Sequence, residues 1–197
     1  MLCGEKMKNS LLFGILALAV ALLAALLFLK YDSNGVNSNS LSQNISVGYL
    51  APNYGFFLSN GSYVNLSAYK GHAVVLWFVA TWCPTCAQGN EALNQSYQFF
   101  ERHGIKVIEL ELYHDLGYQG PSIASFVRSY ASDAYTNNTI IPALAGYNMT
   151  AAYDPKGYLD IYYLISANGT VIYINGSPAS TLGQLEEAIN SSLNNSL

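Results

Sequence analysis

The sequence predicts an α/β domain: a mixed central sheet with helices on both faces, an N-terminal β-hairpin extension, and one membrane-spanning helix ahead of it. Ala73 to Ala80 is a continuous apolar, β-branched run, the pattern of a strand covered on both sides. A helical pattern over 85–103 and a second strand over 104–113 follow, so the unit is βαβ and its two strands are parallel. Near the end, Ile161 to Ile165 and Thr170 to Ile174 flank Asn168-Gly169, a hairpin signature.

The chain has 197 residues, enough for one domain with appendages. Only 10% are charged, the formal net charge is −4, and no Lys/Arg cluster occurs. This excludes nucleic acid as a partner. Residues 1–10 read as a cytoplasmic N-terminus. Residues 11–29 carry no charge and read as a retained transmembrane anchor in the lipid bilayer, roughly 28 Å long as a helix. The run is longer than the apolar part of a cleaved signal peptide. Lys6 and Lys8 precede it, partly offset by Glu5, whereas Lys30 and Asp32 cancel after it. The positive-inside rule then sends the rest of the chain out of the cytoplasm. Ten Asn-x-Ser/Thr triplets, from Asn44 to Asn194, all follow the anchor, against roughly two or three expected by chance. Such an excess, with so few charges, suits an exported and glycosylated surface, as on the outside of an archaeal cell in an acidic medium.

Residues 30–48 are rich in Asn and Ser and read as a flexible tether. The folded domain is expected over 49–197, as a monomer. Asn60-Gly61 between short apolar runs marks the first hairpin. Gly104 stops the helix of 85–103 as a C-cap glycine would. Pro121-Ser122 opens another helix through Ile123, Phe126, Val127 and Tyr130. Thr139 to Leu144 reads as a short edge strand, because Pro142 withholds a donor. From Ser180, Leu182, Leu185, Ala188, Ile189 and Leu193 share one face of a last helix.

Trp82-Cys83-Pro84-Thr85-Cys86 ends the central strand and opens the helix. This arrangement resembles the thioredoxin fold. Ala51-Pro52, Gly61 to Leu66, Lys70-Gly71-His72, Ile141-Pro142 and Leu164-Ile165-Ser166 with Gly169 extend the likeness to the membrane-anchored TlpA/ResA group of thiol–disulfide oxidoreductases. The resemblance covers 49–197. It implies a thioredoxin-like sheet, a redox disulfide between Cys83 and Cys86, protein thiols and disulfides outside the cytoplasm as partners, and no cofactor or metal. The physical reading agrees. Amide N–H groups and the helix dipole at an N-terminus favour a thiolate, so Cys83, expected to be the exposed sulfur, attacks. Cys86, one turn along, resolves the mixed disulfide. Pro84 suits a first turn. Trp82 and Thr85 complete the site, with Trp82 covering the pair.

Two features depart from that group. Its cis-proline, ahead of the final hairpin, falls here on Leu159 or Asp160, so a trans loop of different shape is expected to dock partners. The strand position that buries an acid in many thioredoxins is Trp77. Glu109 and Glu111, on one face of the next strand by period two, read as an exposed strand face or as a proton relay to the cysteines. Other chemistries remain. A Sco-like copper chaperone would need a third ligand beside the two cysteines, from His114 or Asp160. A peroxiredoxin-like peroxidase needs a threonine three residues before its cysteine, whereas Thr81 is two before. Zinc needs about four ligands. Only Cys3 remains among the cysteines, on the cytoplasmic side. A static disulfide across so short a loop would stabilise little.

Overall fold

The structure, a computed structural model, describes residues 45–194. The expected anchor over 11–29, the cytoplasmic N-terminus, Cys3 and most of the tether lie outside the described residues. Among the described residues no helix is long and apolar enough to cross a membrane.

The chain runs β1 (Gly55–Leu58), β2 (Tyr63–Asn65), β3 (Val74–Val79), α1 (Pro84–Gln95), α2 (Tyr97–Arg102), β4 (Lys106–Glu111), α3 (Ile123–Tyr130), α4 (Ser132–Thr136), β5 (Ile140–Ala145), α5 (Tyr147–Tyr153), β6 (Ile161–Ile165), β7 (Val171–Gly176) and α6 (Pro178–Asn194). The strands form one mixed sheet in the order β2-β1-β5-β4-β3-β6-β7. β3 and β4 are parallel, in register from Val74↔Lys106 to Val79↔Glu111. β6 pairs antiparallel on the other side of β3. The βαβ unit and both hairpins are therefore as expected.

Every residue of β3 is buried, because the sheet is covered on both sides. Val75, Trp77 and Val79 face a layer made by α1, α2, α3, α4 and α6, through Leu93, Phe100, Phe126, Val127, Ala134, Leu185 and Ile189. Leu76 and Phe78 face the opposite layer, where α5 contributes Met149 and Tyr153, and Phe56 and Leu66 pack beside them. The two layers are unequal: five helices cover one face, and one short helix with the N-terminal hairpin covers the other. Phe78 stacks on Tyr153 with ring centroids 5.2 Å apart. A fully buried side chain of that size contributes about 1.5–3 kcal/mol.

Three expectations need correction. β5 is an inner strand, with β1 on one side and β4 on the other. Pro142 is tolerated because it stands where the β1 ladder ends: Ser59 N–H donates to the Pro142 carbonyl at 3.0 Å, and the missing return donor falls beyond the last registered pair, Leu58↔Ala143. The helix of 85–103 is broken at Ser96, whose N–H bonds the Ala92 and Leu93 carbonyls and whose own carbonyl accepts from Phe99. Gly104, at φ +65°, ends the second piece: its N–H bonds the Glu101 carbonyl and Ile105 N–H bonds the Phe100 carbonyl. The last residues read as tether join the sheet, since Gly48 N–H reaches the Val171 carbonyl at 2.8 Å.

Candidate active site

β3 ends at Val79, and the chain turns into α1 within four residues. Cys83 is the N-cap, with extended backbone (φ −84°, ψ 117°), and Pro84 is the first helical residue. The Cys83 sulfur accepts the Cys86 backbone N–H at 3.3 Å and lies 3.1 Å from the Thr85 hydroxyl. Two hydrogen-bonding groups thus converge on one sulfur, where a helix N-terminus also favours negative charge. Both cysteines are free thiols. Cys83 is 4% exposed and Cys86 0%. The expectation of an exposed Cys83 is corrected: it is the less covered of two buried sulfurs. Burial, first of all, pushes the Cys86 thiol well above its usual range, and the Cys83 contact and the charge of Asp160 add to the rise. Cys86 therefore keeps its proton until a base removes it.

A second loop fixes this turn. After β4, His114, Asp115 and Leu116 all adopt left-handed backbone, at φ 52°, 52° and 57°. Each such residue costs roughly 1–2 kcal/mol. The Asp115 carboxyl accepts the Thr81 N–H and the Thr81 hydroxyl, both at 2.8 Å. The Asp115 carbonyl accepts the Trp82 indole N–H at 2.8 Å. Trp82 also meets Tyr118, with centroids 4.8 Å apart. A methyl group on Gly120 would stand 2.0 Å from the Thr81 hydroxyl oxygen, so only glycine fits there. We expect Asp115→Ala to lower stability by about 2–4 kcal/mol, because two buried donors on Thr81 lose their acceptor. Urea unfolding midpoints check this; a loss under about 1 kcal/mol would show that solvent replaces the carboxyl.

Beneath the cysteines lies a buried polar cluster. α1 turns Cys86, Gly89, Asn90 and Leu93 inward. The Asn90 amide donates to Glu109 Oε1 at 2.7 Å and more weakly to the Cys86 carbonyl at 3.4 Å. Glu109 is fully buried, facing the helices beside Trp77, its partner in the β3–β4 register. Burial pushes its carboxyl up to about 8, the nearby Asp160 adds to the rise, and the Asn90 bond offsets part of it. Asp160 is 2% exposed, and its Oδ1 accepts the Trp77 indole N–H at 2.9 Å. Burial raises the Asp160 carboxyl too, opposed by Trp77 and by the nearby Ser177 and Thr85 hydroxyls. Those two hydroxyls stop short of a good hydrogen bond, and Asp160 Oδ2 has no partner among the described residues. Neither have Glu109 Oε2 and Asn90 Oδ1. Unsatisfied buried acceptors cost about 1–3 kcal/mol each.

Of the two readings of the glutamates, the exposed strand face fails for Glu109. Its side of β4 is covered by α1. Glu111 is half-buried and stands near Asp115; burial first, then that neighbour, raise its carboxyl to about 7. The loop of Leu159 and Asp160 is trans, like every peptide bond among the described residues, and left-handed at φ 47° and 63°. Asp160 N–H bonds the Phe78 carbonyl at 2.9 Å and the Asp160 carbonyl accepts from Ser177 at 2.8 Å. Asp160 is thus locked into the sheet end and offers no docking surface; Leu159 remains partly exposed. His114 is exposed and stacked on Tyr113. Among the described residues no three His, Cys, Asp or Glu gather as metal ligands. Asp115 and Asn90 were not anticipated. A polar residue at the i+4 position of the inward face that starts at Cys86 was the available signal for Asn90.

This strand, cysteine pair and helix sit inside a segment, residues 47–174, that matches the AhpC/TSA family. The chain belongs to the AhpC/TSA family. Within it, the chain is 28% identical over 123 residues to the thiol-disulfide oxidoreductase ResA of Bacillus cereus, across 62% of this chain and 66% of that protein, just under two thirds of its length. It is 30% identical over 107 residues to the thiol:disulfide interchange protein DsbE of Haemophilus influenzae, across 53% and 56%. Among solved structures, a thioredoxin-like protein from Aeropyrum pernix superposes with a TM-score of 0.56 at 21% identity, covering 71% of this chain and 89% of that one. That likeness establishes the thioredoxin-like fold.

Proposed function

We propose that this AhpC/TSA-family chain is a membrane-anchored, extracytoplasmic thiol–disulfide oxidoreductase that exchanges disulfides with protein substrates through Cys83 and Cys86. The observation that carries the reading is the inequality of the two sulfurs. Cys83 caps a helix, accepts the Cys86 amide N–H and lies against the Thr85 hydroxyl; Cys86 is sealed below and proton-bound. In the forward direction, the Cys83 thiolate attacks a partner disulfide and one partner sulfur leaves as a thiolate. Cys86, deprotonated, then attacks the Cys83 sulfur, and the second partner sulfur leaves. Two electrons pass to the partner, and the Cys83–Cys86 bond forms. Similarity to proteins named ResA and DsbE supports the same chemistry.

Other readings lose their residues. The copper reading lacks a gathered third ligand among the described residues. The peroxidase reading needs the hydroxyl of a threonine ahead of the cysteine, yet Thr81 donates its own to Asp115. The apolar run of 11–29 and the lysines before it support the anchor and its orientation. Among the described triplets, Asn60, Asn65, Asn137, Asn148, Asn168 and Asn190 are exposed, which supports glycosylation of an exported surface. Intact mass of the natively produced chain tests that part: the bare sequence mass would contradict it.

Both tryptophans of the chain, Trp77 and Trp82, lie at the cysteine site, so intrinsic fluorescence reports its redox state. Equilibration in glutathione buffers is expected to give one two-electron transition, about 30 mV per decade. No transition, or one unaffected by Cys86→Ser, would contradict the reading.

A further inference from the structure

We propose that Asn60 and Asn168, at the tips of the two β-hairpins, are the glycan acceptors of the folded domain, and that the other triplets within the described residues stay bare. This assignment rests on the glycosylated, exported surface proposed above and names the acceptors within it.

An Asn-x-Ser/Thr triplet serves as an acceptor where the asparagine Nδ2 and the hydroxyl two residues on can both be reached. At the first hairpin, Asn60 Oδ1 accepts the Ser62 N–H at 3.0 Å. At the second, Asn168 Oδ1 accepts the Thr170 N–H at 3.0 Å. Each is an Asx turn, which ties the amide oxygen to the backbone and leaves the nitrogen over. Neither Nδ2 has a hydrogen-bond partner among the described residues. Both asparagines are exposed. The middle residue of each triplet is a glycine in left-handed backbone, Gly61 at φ +86° and Gly169 at +88°, so each triplet is a turn that stands off the sheet.

The other triplets lack one requirement or the other. Asn94 is a bracket between helices: its Oδ1 accepts the Asp133 and Ala134 N–H groups, both at 2.9 Å. Asn175 spends its Nδ2 on the Tyr173 hydroxyl at 2.8 Å and on Gln184 Oε1 at 2.9 Å. Asn137 is exposed, but Thr139, which supplies its hydroxyl, is buried. Two residues after Asn148, Thr150 Oγ1 accepts the Tyr113 N–H at 2.9 Å, and Met149 between them is buried in the core. Asn65 is followed by buried Leu66, and the Ser67 N–H is held by Asn53. Asn190 lies inside α6, where the Ser192 hydroxyl donates to the Ile189 carbonyl at 2.8 Å. The triplets of Asn44 and Asn194 extend outside the described residues.

The two tips share one end of the sheet. β6 is antiparallel to β3 with Ile165 opposite Val74, so Asn168 lies where β3 begins. β1 is antiparallel to β5, which runs with β4 and β3, so Asn60 lies at that end too. Cys83 follows the far end of β3, roughly 20 Å of strand away. Glycans on these tips leave the cysteine end open to protein partners. In the transfer, the asparagine Nδ2 bonds the anomeric carbon of a glycosyl phosphate donor and gives up one proton to solvent. The bond from that carbon to the phosphate breaks, and the phosphate leaves with its electron pair. The donor and the transferring enzyme come from the cell that makes the chain.

The test is a glycopeptide map of the full chain purified from its native cells. Asn60 and Asn168 should each be occupied at least roughly tenfold above Asn65, Asn94, Asn137, Asn148, Asn175 and Asn190. In the intact mass, Asn60→Gln and Asn168→Gln should each remove one glycan step. Ser62→Ala and Thr170→Ala keep both asparagines and should remove the same steps. Asn94→Ala should remove none and should lower the urea midpoint, because two amides of α4 lose their acceptor. Occupancy spread evenly over the exposed triplets, or a glycan on Asn94 or Asn175, overturns the proposal. Bare peptides at every site would instead refute the glycosylated surface itself, and the assignment with it.

Discussion

Cys83→Ser abolishes disulfide exchange, and Cys86→Ser stops it halfway. The two outcomes differ because the two sulfurs differ. Serine at 83 keeps the N-cap geometry but offers a hydroxyl that does not ionise near neutral pH, so the rate of insulin reduction should fall by roughly 10³-fold or more. Serine at 86 leaves the nucleophile intact. Attack then proceeds and the mixed disulfide persists, because the resolving sulfur is missing. Partner proteins should accumulate as covalent adducts with the Cys86→Ser chain that dithiothreitol releases. Non-reducing gels and peptide mass spectrometry read both results. Equal adducts with the two variants would contradict the assignment of roles.

Raising the pH from 5 to 8 weakens the fold, and Glu109→Gln removes most of that loss. An unfolded glutamate ionises near 4.5, whereas the native Glu109 holds its proton to about 8. Between those values the native state binds more protons than the unfolded state, so stability is full below about 4.5 and falls until about 8. The difference amounts to several kcal/mol, a large share of the roughly 5–15 kcal/mol that holds a domain together. Asp160 is shifted in the same direction and adds to the slope. Glutamine keeps the Asn90 contact but cannot ionise. The variant should match the parent chain at pH 5 and exceed it at pH 8. Urea midpoints at pH 5, 6.5 and 8 measure this; a parent chain as stable at pH 8 as at pH 5 would contradict it. A chain built this way is most stable in acid, in keeping with its sparse charge.

What could be read from the chain was what is local. The apolar run at Ala73 to Ala80, the glycine at 104 and the turn at Asn168-Gly169 each specify their own conformation within a few residues. The cysteine pair needed only the strand before it and the helix after it. The rest depended on contacts far apart in sequence. Pro142 suggested an edge because nothing local shows that β1 returns to pair beside it. Period two put Glu109 and Glu111 on one face, but which face the helices cover is decided by packing, and α1 covers Glu109 alone. In the sequence Trp77 only marks the strand position where many thioredoxins bury an acid; its part here, an N–H offered to Asp160 83 residues away, exists only in the folded chain. Asp115 gave no local sign either, since three successive left-handed residues without glycine run against backbone preference and persist only because Thr81 and Trp82 hold them.

The central claim is that Cys83 is the attacking sulfur and Cys86 its shielded, proton-bound partner. A short pulse of substoichiometric iodoacetamide on the reduced chain at pH 7, with the cysteines read on separate peptides, tests it most directly. Label should appear on Cys83 at least roughly tenfold ahead of Cys86. Equal labelling, or Cys86 ahead, would contradict it.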